Sequence, residues 1–86
     1  MYILDGAMMN TQERAHEHLR TALGFPDYYG RNLDALFDCL TDLHGEIRLY
    51  HTSLLRRAMP VYAEKILRVL KDAQEESDAL TVTVMD

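Results

Sequence analysis

Apolar residues open the chain at Tyr2, Ile3 and Leu4 and stop at Asp5-Gly6, a pairing that favours a turn, so the pattern predicts a short buried strand. The period then changes: Ala15, Leu19, Ala22 and Leu23 recur at helical spacing. Asn10, with Glu13 three residues on, resembles a capping box, in which side chains satisfy the free N–H groups at a helix start. Gly24 can take the left-handed conformation that closes a helix and Pro26 cannot continue one, so the helix is expected to end near Leu23.

Asp27-Tyr28-Tyr29-Gly30 reads as a loop, after which Asn32 can cap a second helix that buries Leu33, Leu36, Phe37 and Leu40. Beyond Gly45, Ile47 and Leu49 alternate with Arg48 and Tyr50, the period of a strand. Ser53 can cap a small third helix running through Arg57, and Pro60 suits the first turn of a fourth, where a missing N–H leaves nothing unpaired. Tyr62, Ile66, Val69, Leu70 and Ala73 give that fourth helix its inward side. Leu80, Val82 and Val84 then alternate with Thr81, Thr83 and Met85 as a closing strand. Helices between strands imply parallel pairing through right-handed crossovers. The expected architecture is α/β: a three-stranded parallel sheet packed with four helices, as one domain over residues 1–86, without repeat, linker or low-complexity segment.

Composition adds limits. With 86 residues and 48% hydrophobic content the chain can bury a core without staples, and its lone Cys39 cannot form an intrachain disulfide. The opening Met1-Tyr2-Ile3-Leu4-Asp5-Gly6 lacks the basic region and long apolar run of a signal peptide, so the cytoplasm is the expected compartment. No stretch approaches the roughly 20 consecutive apolar residues that span a bilayer, so no membrane role is expected. A net charge of −5 repels phosphate backbones and attracts basic partners, which disfavours direct nucleic-acid binding. Many ordinary domains are equally acidic for solubility, so the distribution of charge must decide.

The second helix carries that distribution. At about 100° per residue, Asp34, Asp38 and Asp42 line the side opposite Leu33, Leu36, Phe37 and Leu40. Like charges four apart destabilise a helix by roughly 0.2–0.5 kcal/mol per pair. Asp34 suits the helix N-terminus, but an exposed carboxylate at the C-terminal end, as at Asp42, is penalised by about 0.3–1 kcal/mol. A cationic partner would reverse these penalties; the competing reading is a plain solvated face. Tyr28 and Tyr29 precede the helix, where a loop can present a tyrosine anchor beside the carboxylates. One of the two is expected in the core, and spacing does not say which.

The run Phe25-Pro26-Asp27-Tyr28-Tyr29-Gly30-Arg31-Asn32-Leu33-Asp34-Ala35-Leu36-Phe37-Asp38-Cys39-Leu40-Thr41 resembles the signature of the barstar family, and the order of strands and helices is similar along the whole chain. The resemblance implies an inhibitor of a small basic ribonuclease, such as a barnase-like enzyme or a ribonuclease toxin, blocked by an acidic helix and the loop before it. It implies that Asp34 and Asp38 are acidic contacts, Tyr28 a stacking tyrosine, Thr41 a hydroxyl contact and Asp72 a peripheral acidic contact. Asn32, Ala35 and Asp42 complete the expected ribonuclease-binding set. Phe37 stands where barstar itself has tryptophan, Asp42 replaces a glycine and Leu43 an aromatic, so the rim of the interface differs.

Little else in the chain carries chemistry. There is no phosphate-cradling glycine loop, no metal-spaced cluster and no nucleophile motif, so neither an enzyme nor a cofactor is expected. His16 and His18 are two apart and do not share a helix face, while His44 and His51 flank a strand; all read as surface or satisfied core histidines rather than ligands. Cys39 reads as a small apolar helix residue with no neighbouring cation to activate it. Arg56, Arg57, Lys65 and Arg68 are too diluted by Glu64 and Asp72 for a nucleic-acid footprint. The alternative function is a non-inhibitory module of the same fold that binds another basic protein.

Overall fold

The first strand, β1 (Tyr2–Asp5), runs into a single 3-10 turn (Gly6–Met8) and then α1 (Gln12–Leu23), α2 (Leu33–Thr41) and β2 (Gly45–Tyr50). The chain continues through α3 (Thr52–Ala58) and α4 (Pro60–Glu76) to β3 (Leu80–Val84). This is a computed structural model, and it describes residues 1–86.

The helix starts obey the chemistry of free N–H groups, though not always on the expected residue. Thr11, not Asn10, caps α1: its extended backbone lets Oγ1 accept from Arg14 N–H at 3.1 Å. That shift leaves Glu13 too early for a capping box, although its charge still suits the first turn. Gly24 closes α1 in the left-handed region at φ 72°, as expected. Ser53 does not cap α3 but lies inside it. The helix starts after His51, itself left-handed at φ 57°, and the far end of the chain supplies the partners. Asp86 Oδ1 accepts from Ser53 N–H at 2.9 Å, and Thr52 Oγ1 donates to Met85 O at 2.7 Å. Pro60 takes the first turn of α4 as expected.

The strands lie in the order β1-β2-β3, all parallel, with Tyr2, Ile47 and Val82 in one row and Leu4, Leu49 and Val84 in another. Both crossovers step the same way across the sheet, so with a common hand they deliver the four helices to one face. Leu4, Ile47, Leu49 and Leu80 point into that layer and join Leu19, Leu36, Leu40, Leu55, Ile66 and Leu70 in the core. The opposite face, bearing Ile3, Arg48 and Thr83, is not covered. Ile3 is therefore 46% exposed, and the strand expected to be buried is buried on one side only. On α2, Leu36 and Leu40 are enclosed, whereas Leu33 and Phe37 flank them half-buried. The expected burial of Phe37 is thus only partial: α4 packs against α2, and Phe37 lies at the margin of the core.

On each sheet edge a side chain takes one outward N–H of the strand. His18 Nε2 accepts from Asp5 N–H at 2.9 Å on the β1 edge, and Gln74 Oε1 accepts from Val82 N–H on the β3 edge. Gly6 permits the close approach of the 3-10 turn to the start of α3: a Cβ there would stand 2.2 Å from the His51 carbonyl oxygen.

Candidate functional site

Asn32 builds the start of α2. Its Oδ1 accepts from Ala35 N–H at 2.7 Å while its Nδ2 donates to Gly30 O at 3.2 Å, so one side chain fixes both the helix and the turn before it. Ala35 is half-buried and contributes a small surface together with that capped N–H. From this fixed start the helix carries Asp34, Asp38 and Asp42 outward on successive turns, all exposed. None of them takes part in any of the protein's ion pairs. Four other carboxylates, on Glu17, Asp27, Glu46 and Glu64, pair with arginines, and Asp5 bonds to the His51 ring. The ridge is therefore charge that the fold itself leaves uncompensated.

Thr41 is half-buried at the end of the helix, where Oγ1 donates to Asp38 O at 2.9 Å. Its hydrogen is used internally, and only its lone pairs remain for an incoming donor. Asp42 comes next as the C-cap. Asp72 is exposed on α4, the helix that packs against α2.

The loop of residues 24–32 resolves the tyrosine pair. Tyr28 is 89% exposed and Tyr29 3%. Tyr29 is held inside by His16, whose Nδ1 lies 2.6 Å from Tyr29 Oη and whose Nε2 lies 2.6 Å from Tyr62 Oη. A neutral imidazole offers one donor and one acceptor, so one phenol donates to His16 while the other accepts from it. Burial lowers the His16 pKa, aided by the charge of Arg31, and burial raises that of Tyr29. The sequence did carry a signal for this tie: His16 falls beside Ala15, three before Leu19 and seven before Leu23, on the apolar side of α1.

Between loop and helix lies a shallow cavity of about 330 Å³, with Phe25, Pro26 and Tyr28 on one wall and Asp38, Cys39, Asp42 and Leu43 on the other. Tyr28, Asp38 and Asp42 thus share one concavity, with Asp34 one turn away on the same ridge and Asp72 on the neighbouring helix. The Cys39 thiol is pushed up by burial and then by Asp42 and Asp38, which keeps it protonated and unreactive. Every buried side-chain N and O atom has a hydrogen-bond partner. Chemically, the face offers several carboxylate oxygens and one aromatic ring to a cationic, ring-accepting surface. No helix is long and apolar enough to cross a membrane.

The family described as Barstar (barnase inhibitor) matches residues 1–85. The chain is 44% identical over 77 residues to a protein of Bacillus subtilis (strain 168) named "Putative ribonuclease inhibitor YrdF", an alignment that covers 86% of this chain and 85% of that protein.

Proposed function

We propose, on the premise that this chain belongs to the barstar family, that it inhibits a small basic ribonuclease by covering the enzyme's active site. The observation that carries this reading is the ridge of three exposed aspartates on α2 that no cation of the protein neutralises, set beside the exposed Tyr28. A ribonuclease site is cationic, because it must hold phosphates and stabilise charge that develops during cleavage. Asp38, central on the ridge, occupies the phosphate position and receives charge-assisted hydrogen bonds from the enzyme's Arg, Lys or His. Asp34 and Asp42 extend the match to either side, Tyr28 stacks on the imidazole or base site, and Asn32, Ala35 and Thr41 close around them. Asp72 contributes at the rim. Complementary fields also speed encounter, which suits an inhibitor acting in the cytoplasm as a single domain, before cellular RNA is cut.

The test is titration of small basic ribonucleases with the purified protein while residual RNA cleavage is measured. Inhibition should saturate at a defined stoichiometry. Asp38→Ala should weaken binding by roughly 2–5 kcal/mol, a range for interfaces in general in which barnase and barstar are the reference pair. The melting temperature of Asp38→Ala should be unchanged or slightly higher, since repulsion along the ridge is relieved. Binding to a basic protein without loss of RNA cleavage would instead support a non-inhibitory module.

A further inference from the structure

The loop of residues 24–32 presents Tyr28 yet has little backbone structure of its own: Tyr29 N–H bonds to Pro26 O at 3.0 Å and Phe25 N–H reaches back to Arg20 O at 2.9 Å. Two side-chain ties fasten it to α1. The inner one joins Tyr29 to His16. The outer one is a row of charges. Glu17 Oε1 accepts from Arg20 Nη2 at 2.7 Å, its Oε2 accepts from Arg31 Nη2 at 2.8 Å, and Arg20 Nη1 reaches Asp27 Oδ1 at 3.3 Å. Asp27 and Arg31 stand on either side of Tyr28 in the chain, so the row from Asp27 through Arg20 and Glu17 to Arg31 brackets the tyrosine. Hydrogen bonds first from Arg20 and then from Arg31 draw the Glu17 carboxyl down to about 2. Arg31 also holds a left-handed backbone at φ 52°, uncommon for a residue with a side chain, so something outside its own backbone preference must keep it there.

Arg31 is also a cation in an awkward place. It precedes Asn32 and lies three residues before Asp34, on the loop that faces a cationic enzyme in the proposed function. Like charges brought together across an interface oppose binding. By pairing with Arg31, Glu17 masks that charge.

We infer that Glu17, from α1, is a positioning residue for the ribonuclease-binding loop: it pins the segment that carries Tyr28 and masks the charge of Arg31. The masking half rests on the ribonuclease-inhibitor reading; the pinning half is measurable without any partner. In the free protein, backbone order parameters from nuclear magnetic relaxation for residues 27–31 should fall in E17Q from about 0.85 toward about 0.6, with α2 and α4 unchanged. R31Q should loosen the same residues, and E17Q/R31Q should match E17Q alone, because the Arg31 link runs through Glu17 and is already cut in E17Q. Loop order equal to wild type in E17Q, or additive loosening in the double variant, would overturn the inference. In binding, the probe is barnase, the enzyme named in the family description. E17Q should bind it at least tenfold more weakly, and E17Q/R31Q should regain part of that loss because the uncovered cation is gone. Equal affinity of wild type and E17Q would reject the masking. A wild-type protein that leaves barnase active would count against the proposed enzyme class, while the relaxation measurements would still decide the pinning.

Discussion

Adjacent tyrosines with the same chemistry have opposite roles because one hydroxyl finds a buried partner and the other does not. Tyr29→Phe removes one of the two partners of His16 and leaves a buried ring nitrogen unsatisfied, so denaturant unfolding should show a loss of about 1–3 kcal/mol. Tyr28→Phe should leave stability within about 0.5 kcal/mol of wild type, since that ring touches little of the fold. The same buried histidine makes stability depend on pH. Burial sets the His16 pKa below its ordinary 6.5, so as pH falls the unfolded chain takes up the proton first. Its contribution is complete above about pH 6.5 and is lost as pH falls from there through the folded value. His18, lowered by burial as it accepts from Asp5 N–H, acts in the same direction. Melting curves should shift downward between about pH 7.5 and about pH 5.5, and His16→Gln should flatten that slope.

At the scale of the element, α2 sets its own stability against its surface. Asn32 and the enclosed Leu36 and Leu40 favour the helix, Asp34 suits its N-terminal end, and Asp42 opposes the dipole at the other. Asp42→Asn should therefore stabilise the free protein by about 0.3–1 kcal/mol in a denaturant titration while weakening ribonuclease binding. A gain in stability with unchanged affinity would show that Asp42 lies outside the interface. The ridge was legible in the sequence because its spacing is a property of any α-helix, and Asn32 could be assigned because a cap acts locally. The start of α3 was not legible: Ser53 had the right chemistry, but Asp86 and Met85, 33 residues away in sequence, took the role.

Across the whole molecule, a parallel sheet covered on one face must protect two edges as well as its core. Gln74 does so for β3 from the last turns of α4, and His18 for β1 from α1. Gln74→Ala should release Val82 N–H at a cost of about 1–3 kcal/mol and offer the β3 edge to other chains. The expected signs are a lower unfolding midpoint and increased light scattering on mild heating. A variant that stays monodisperse with an unshifted midpoint would show that Gln74 guards nothing.

Periodicity and near neighbours let the sequence determine by itself the alternation of strands and helices, the parallel sheet, the apolar side of each main helix, the caps at Asn32 and Gly24, and the acidic side of α2. These features are local, because a helix repeats every few residues and a cap reaches only the next turn. The tertiary structure alone decided which tyrosine is exposed, how far Phe37 is buried, that Ile3 faces solvent, and that Glu17 reaches Arg31 across 14 residues of chain. Each of these depends on what packs opposite: α4 against one side of α2, helices on only one face of the sheet, α1 beneath the loop. A residue's own neighbours in sequence carry no record of that surface.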